Sequence, residues 1–195
     1  MQLLAAIVAS YLIGSIPFGY LIARLYGTDI RQHGSGNIGA TNVWRTLGPI
    51  PGLLALLGDA AKGALAVYLG RKTGLQFADL MAGLAAMVGH AWPVYLRFKG
   101  GKIIATGTGV MLMLSPQITL WAVLVFALVV ATSRFVSLGS VCAAISVPVL
   151  FRLYGYNWPY LLFALTIAAI AVYKHIPNLR RIAAGQEFKV GSRKK

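Results

Sequence analysis

Long apolar runs fill most of this chain of 195 residues, and its polar residues are gathered into short segments between them. A helix needs about 20 predominantly apolar residues to cross the hydrocarbon core of a bilayer. Hydrophobic residues make up 58% of the chain and charged residues 11%, a composition that does not suit a soluble domain. The sequence therefore predicts an all-α integral membrane protein, a polytopic bundle with short loops.

Breaks at polar residues, glycine and proline divide the apolar sequence into about seven predicted transmembrane helices. The predicted helices are Leu3–Ala23, Gly52–Gly70, Phe77–Leu96, Ile103–Leu114, Ile118–Thr132, Val136–Leu153 and Tyr160–Tyr173. The fourth and fifth are short and flank Ser115-Pro116, so they form either a re-entrant pair or two brief tilted spans. We interpret residues 1–195 as one membrane domain, whose first helix is retained because no basic segment precedes it.

The charge of the chain predicts its orientation. There are 18 basic and four acidic side chains, a formal net charge of +14. We place the N-terminus outside and count seven crossings. Fourteen cations, including those of the basic tail 188–195, then lie in the cytoplasm, and only Arg71, Lys72 and Arg152 lie in loops outside. Such an excess of cations on the cytoplasmic side favours this orientation. The excess of cations favours phospholipid headgroups and anionic substrates as partners. Nucleic-acid binding is not expected, because the cations are scattered over several loops.

The same orientation places three polar segments on the cytoplasmic face: Gly34–Arg45, Phe98–Lys102 and Lys174–Arg181. A spacer between membrane helices does not require such a density of glycines, amides, hydroxyls and cations, although a solvated loop remains the alternative interpretation of each segment. Glycine-rich backbone, helix N-termini and cations are the groups with which proteins bind phosphate. We therefore expect the three segments to meet in one anion-binding site.

The first segment contains the pattern G-x-G-x-x-G from Gly34 to Gly39. A dinucleotide site is not favoured, since that fingerprint follows a strand and here a membrane helix precedes it. Glycine backbone and side-chain donors can still surround an oxyanion, and an arginine can bind phosphate with two nitrogens. The candidate ligands here are Ser35, Gly36, Asn37, Thr41, Asn42 and Arg45.

The second and third segments supply further candidates. Gly100, Gly101 and Lys102 lie at the predicted start of the fourth helix, where backbone N–H groups favour an anion, and Thr106 lies one turn further on. His175 is one of the few groups able to titrate near neutral pH, and Asn178 follows it by three residues. Pro177 between them is expected to disturb the helix.

Two charged residues fall inside an apolar helix. Asp59 and Lys62 are three positions apart, so they can pair on one helix face, and charge in lipid is costly unless it is paired. We interpret them as a structural ion pair, with a role in substrate binding as the alternative. The chain has a single cysteine, Cys142, and no cluster with metal-ligand spacing, so neither a metal nor a cofactor is predicted.

Taken together and in this order, the three segments resemble the PlsY family of bacterial membrane glycerol-3-phosphate acyltransferases. The resemblance extends to Gly14-Ser15-Ile16-Pro17 and to Val136-Ser137-Leu138 before Ser140. It implies a seven-helix bundle in the bacterial inner membrane, with the active site open to the cytoplasm. The residues that it implies at the phosphate-bearing substrates are Ser35, Arg45, Lys102, Ser140, His175 and Asn178.

The resemblance also implies a reaction. An acyl chain passes from acyl phosphate to the 1-position of glycerol 3-phosphate, which gives lysophosphatidic acid and inorganic phosphate. Ser35, Lys102 and His175 are the implied catalytic residues, and either His175 or an oxygen of the acyl phosphate takes the proton. The enzyme that makes acyl phosphate, PlsX, is an implied partner. The chain departs from the family pattern at Ile103-Ile104, where the family has Gly-Val.

Two other classes of function remain open at this point. A transporter for an organic anion would use broken helices and glycines, but its site would lie near the membrane midplane within inverted repeats, and no internal repeat is evident. A scaffold that binds anionic lipid through its basic tail would explain the charge. It would leave the residues of Gly34–Arg45 without a purpose.

Overall fold

The computed structural model describes residues 1–191, and all regular structure in that range is helical. Residues 192–195, the end of the predicted basic tail, lie outside the described range. Two short 3-10 helices cover Ile30–Gln32 and Val94–Leu96. The α-helices are α1 (Gln2–Gly14), α2 (Phe18–Leu25), α3 (Ala40–Leu47), α4 (Pro49–Lys72), α5 (Ala78–Ala91), α6 (Ile104–Leu114), α7 (Pro116–Ser133), α8 (Val136–Leu153) and α9 (Trp158–Ala183).

Five segments of the described chain are long and apolar enough to cross a membrane, so the predicted all-α membrane fold is confirmed. They are Gln2–Leu25, Pro49–Lys72, Pro116–Ser133, Val136–Leu153 and Trp158–Ala183. Two further apolar helices, α5 and α6, have 14 and 11 residues. At a rise of 1.5 Å per residue these are about 21 and 16 Å long, shorter than a hydrocarbon core of about 30 Å.

The first predicted helix is not continuous, and this corrects the sequence-based prediction. α1 ends at Gly14 and α2 begins at Phe18, with Pro17 immediately before it. Proline has no N–H and disfavours a helical residue before it, so the helix breaks here. The carbonyl of Ile16, at the break, accepts a hydrogen bond from Lys62 Nζ at 2.7 Å besides that from the Phe18 N–H at 3.2 Å.

Three other boundaries differ from the predicted ones. The third helix ends at Ala91 instead of Leu96, because Pro93 follows and Val94–Leu96 turns as a 3-10 helix. The fifth, α7, has 18 residues and is long enough to span. The last helix runs ten residues beyond its predicted end and continues through Pro177 to Ala183.

The contacts divide the chain into two compact units, Met1–Ser115 and a second unit that begins at Pro116. In the first unit, α1 packs on α5, and α4 packs on both α5 and α6. Glycines allow these close approaches: a Cβ on Gly63 would overlap the Thr106 carbonyl, and one on Gly109 would overlap that of Ala60. In the second unit, α8 packs between α7 and α9.

Candidate functional site

The Gly34–Arg45 segment is organised around one buried amide, that of Asn42. Its Oδ1 accepts a 2.9 Å hydrogen bond from the backbone N–H of Ser35. Its Nδ2 lies 2.9 Å from the carbonyls of His33 and Asn37 and 3.2 Å from that of Ile30. Asn42 is only 2% exposed. We therefore assign Asn42 the task of shaping this loop from within.

Local conformation explains the glycines of this segment. Gly34 and Gly36 have φ values of 59° and 70°, in the left-handed region that glycine adopts without steric cost. A side chain on Gly34 would also overlap the Asn42 amide. Asn37 Oδ1 accepts the N–H of Gly39 at 2.9 Å, just before α3 begins. These contacts bend the backbone into a fixed loop that opens into a helix.

The residues that face outward differ from those that build the loop. Arg45 and Thr41 are exposed on α3, and Ser35 is half-buried. The segment also contributes to a small apolar cluster, against which Leu96, two residues before the second polar segment, packs. Its fully buried members are Ala23, Ile30, Ile38, Val43 and Ala55. Through this cluster the first polar segment packs next to the 3-10 helix that precedes the second.

The second segment, Gly100–Lys102, leads directly into α6, as predicted. The N–H of Gly101 donates to the His90 carbonyl at 2.9 Å, and a Cβ on Gly101 would overlap the His90 imidazole. Ile103, the residue before α6, is buried with φ of 62°. Lys102 is half-buried, and Thr106 is fully buried in the first turn, where its hydroxyl makes no hydrogen bond to another described residue.

The predicted ion pair of α4 is present and has a third member. Lys62 Nζ lies 2.7 Å from Asp59 Oδ1. The third member is His90 of α5, whose Nδ1 lies 3.0 Å from Lys62 Nζ and 3.5 Å from Asp59 Oδ1. These three residues, which we call the α4–α5 charge network, are 1–4% exposed. No sequence pattern indicates the contact with His90, which comes from another helix.

In the second unit, His175 and Asn178 lie on one continuous helix, because α9 does not break at Pro177. They are 3% and 5% exposed. Nδ1 of His175 lies 2.7 Å from the carbonyl oxygen of Ala171, which can only accept, so Nδ1 carries a proton. In the neutral ring Nε2 is then the basic nitrogen.

An acidic residue organises the surroundings of Asn178. Glu187 accepts hydrogen bonds from Asn178 Nδ2 at 2.7 Å and Ser137 Oγ at 3.0 Å, and it pairs with Arg181 Nε at 2.7 Å. Glu187 therefore forms an ion pair with the cationic segment at the end of α9. Ser140, the candidate on α8, lies one turn beyond Ser137 and is 3% exposed, with its hydroxyl on the Val136 carbonyl at 2.8 Å.

A further charged cluster lies just before the first segment. Arg31 donates to Asp29 from its side chain at 2.6 and 2.9 Å and from its backbone at 3.1 Å. These hydrogen bonds favour the charged carboxylate and lower the pKa of Asp29 from 3.8 to about 2. The Arg31 guanidinium also lies over the Tyr20 ring, 4.7 Å from its centroid. This cluster secures the turn that leads from α2 into the loop.

The site in each unit therefore has a defined chemistry. The first unit offers backbone N–H groups and two cations, Arg45 and Lys102, and the second offers a buried histidine and amide on α9. Such donors suit phosphate-bearing substrates. Within residues 1–191 no three His, Cys, Asp or Glu side chains are grouped so that they could hold a metal ion.

Comparison with known proteins agrees with this chemistry. The family model described as glycerol-3-phosphate acyltransferase matches residues 4–185. A glycerol-3-phosphate acyltransferase of Desulforudis audaxviator is 55% identical over 186 residues, which cover 95% of this chain and 94% of the relative. One of Desulforamulus reducens is 52% identical over 190 residues, covering 96% and 95%.

Solved structures show the same likeness. The crystal structure of PlsY (YgiH), an integral membrane glycerol 3-phosphate acyltransferase, in its glycerol 3-phosphate form superposes with a TM-score of 0.94 at 38% identity. Its lysophosphatidic acid form superposes with a TM-score of 0.92 at the same identity. Both cover 98% of this chain and 96% of the solved chain.

Proposed function

This chain belongs to the glycerol-3-phosphate acyltransferase family of integral membrane proteins, and from that premise we propose that it acylates the 1-position of glycerol 3-phosphate with acyl phosphate as donor. The products are lysophosphatidic acid and inorganic phosphate. The observation that carries the proposal is the family match over residues 4–185. The likeness to a crystal structure in its glycerol 3-phosphate form supports the acceptor.

The chemistry begins with neutralisation of phosphate. Arg45 and Lys102 are the cations of the two polar segments of the first unit, and each binds phosphate in this proposal. Ser35, Asn37, Thr41 and Gly100 add hydrogen-bond donors from the backbone or side chain. Gly36 and Gly101, whose N–H groups donate to the His33 and His90 carbonyls, let the backbone approach the phosphate closely. Thr106 adds a hydroxyl in the first turn of α6, where the helix dipole favours an anion.

The acyl transfer itself is a direct displacement. The 1-hydroxyl of glycerol 3-phosphate attacks the acyl carbonyl carbon, a C–O bond forms, and the bond from that carbon to the phosphate oxygen breaks. The Gly100 N–H and neighbouring backbone N–H groups stabilise the negative charge on the carbonyl oxygen, since the Gly101 N–H donates to the His90 carbonyl. The hydroxyl proton goes either to Nε2 of His175 or to an oxygen of the departing phosphate, while Ser140 and Asn178 bind substrate.

The test of this function is turnover by the purified protein. With glycerol 3-phosphate and palmitoyl phosphate we expect one equivalent of inorganic phosphate and one of lysophosphatidic acid. With palmitoyl-CoA as the donor we expect no product. Lysophosphatidic acid formed from palmitoyl-CoA alone would contradict the proposed donor, and absence of product with either donor would contradict the proposed reaction.

We also propose that the protein lies in the bacterial inner membrane with its N-terminus outside and its C-terminus in the cytoplasm. The donor would be supplied there by an enzyme that makes acyl phosphate. Single cysteines at the exposed positions Lys99 and Gln76, in a Cys142→Ser background, test the orientation. An impermeant maleimide should label Lys99→Cys only in inside-out vesicles and Gln76→Cys only in right-side-out vesicles; the opposite pattern would reverse the topology.

A further inference from the structure

The α4–α5 charge network lies in an unusual place for three polar side chains. Asp59, Lys62 and His90 are 1%, 3% and 4% exposed, within helices of a membrane protein. A buried ion pair is seldom more stabilising than apolar side chains of the same volume, because both charges lose their hydration. Polar residues inside a membrane generally serve function. The contacts of the network indicate what that function is.

Lys62 connects the network to the break in the first membrane segment. Lys62 Nζ donates to the Ile16 carbonyl at 2.7 Å, which lies between α1 and α2. α2 in turn contacts the first polar segment, because Gly19 packs so closely on the Ile38 carbonyl that a Cβ there would overlap it. The position of Lys62 therefore determines where α2 begins and where the Gly34–Arg45 loop is held.

His90 connects the network to the second polar segment. The His90 imidazole contacts Lys62 through Nδ1 at 3.0 Å, and its opposite edge, with Nε2, lies against Gly101. The His90 carbonyl also accepts the Gly101 N–H at 2.9 Å. A ring held on both edges cannot rotate, so the backbone before Lys102 is held with it.

We propose that Asp59, Lys62 and His90 are positioning residues that keep the Gly34–Arg45 and Gly100–Lys102 segments at one fixed separation. Asp59 fixes the Lys62 ammonium, Lys62 holds the helix break behind the first segment, and His90 holds the second. This inference rests on the proposed function, because it assigns the two segments to the binding of phosphate-bearing substrates that must react with each other.

The network then acts on the reaction more than on binding. Each segment keeps its own donors when the network is removed, so each still binds phosphate. The reacting atoms are no longer held in the attacking geometry, and misplacement by about 1 Å costs on the order of 100-fold in rate. The expected signature is a fall in kcat with little change in KM.

The test removes both charges together, so that neither is left buried and unpaired. The variant is Asp59→Asn with Lys62→Met. Its matched control is Asp79→Asn with Arg71→Met, which removes both members of the more exposed ion pair between the end of α4 and the start of α5. We expect kcat of the network variant to fall at least about 10-fold, with both KM values within about 3-fold, in a protein that still unfolds in one cooperative thermal transition. The control should match the parent.

A distance measurement separates this proposal from the proposed function. Spin labels at Gln32→Cys and Lys99→Cys, both exposed, report the separation of the two segments without any turnover. We expect one narrow distance distribution in the parent and a broad one in the network variant. An unchanged distribution together with kcat within 2-fold of the parent would overturn the positioning role, whereas an inactive parent would count against the proposed function alone.

A second pair of variants tests the proposal in case the double variant does not fold. His90→Asn keeps a polar atom near the position of Nδ1, and His90→Leu keeps bulk without it. If the contact with Lys62 matters, His90→Asn should retain at least about 5-fold more kcat and a narrower distance distribution than His90→Leu. Equal kcat and equal distributions would overturn the proposal.

Discussion

The side-chain amide of Asn178 donates a 2.7 Å hydrogen bond to Oε1 of Glu187, nine positions further along the chain. The same carboxylate binds Ser137 of α8 and Arg181 of α9, and only 5% of its side-chain surface is exposed. One carboxylate therefore joins the two helices that carry Ser140, His175 and Asn178 to the segment after α9.

Replacement of Glu187 by alanine should destabilise the second unit. The change leaves a buried amide, a hydroxyl and a guanidinium without their acceptor, at a cost of about 3 kcal/mol. Glu187→Gln keeps a carbonyl oxygen for Asn178 and Ser137 and should cost about half as much. The melting temperatures of the two variants in detergent provide the measurement, and equal values would show that the hydrogen bonds at Oε1 contribute little.

Asn42→Ala should loosen the Gly34–Arg45 loop without unfolding the protein. It removes the acceptor of the Ser35 N–H and the donor to three carbonyls. We expect the Ser35 amide to exchange its hydrogen at least about 10-fold faster, since each lost hydrogen bond is worth about 1 kcal/mol. Thr41→Ala, one position earlier and exposed, is the control and should leave exchange at Ser35 as in the parent.

His175→Asn should distinguish a proton acceptor from a binding residue. The asparagine amide can still donate to the Ala171 carbonyl from near the position of Nδ1, but it offers no base at Nε2. If His175 takes the proton, kcat should fall about 100-fold and its dependence on pH near neutrality should disappear. A raised KM for glycerol 3-phosphate with most of kcat retained would assign His175 to substrate binding.

Ile103 should tolerate glycine better than alanine. Its φ of 62° lies in the left-handed region, where a Cβ costs about 1–2 kcal/mol. Both Ile103→Gly and Ile103→Ala lose the same buried side chain, but only the glycine variant loses the backbone strain. We expect Ile103→Gly to be more stable than Ile103→Ala by about 1 kcal/mol, the reverse of the usual order. Equal or reversed melting temperatures would contradict a strained backbone at this position.

The Asp29–Arg31 pair should make stability depend on pH in the acid range. The pKa of Asp29 is lowered to about 2 in the folded protein from an ordinary 3.8, so the paired carboxylate stabilises the fold above about pH 4. That stabilisation is lost as the pH falls through 2. The difference in melting temperature between the parent and Asp29→Asn should be constant from pH 6 to 4 and shrink toward pH 2. A difference that stays constant over the whole range would show that the Asp29–Arg31 pair does not cause it.

Much of the fold was predictable because lipid leaves a spanning chain few alternatives to the helix. The prediction for Val136–Leu153 coincides with α8, and the prediction for Gly52–Gly70 falls short of α4 by only two or three residues at each end. The Asp59–Lys62 pair was also predictable, because a spacing of three on one helix is a local relationship.

What the sequence could not indicate depends on contacts between distant residues. The break at Ile16 is stabilised by a lysine 46 positions away, and His90 meets Lys62 from a different helix. Pro177 was expected to disturb the helix, yet α9 continues through it, since tertiary contacts can override helix propensity. Asn42 resembled a ligand in the sequence because nothing there shows that its amide points inward.

The contact between α4 and α6 has a mechanical consequence. At Gly63 and Gly109 the two backbones touch with no side chain between them, so neither helix can slide or rotate past the other without collision. Bilayers vary in thickness with temperature and lipid composition, and membrane helices respond by tilting. The two helices must therefore tilt together as one rigid body. The distance between the Lys62 ammonium and the start of α6 then stays the same when the surrounding lipid changes.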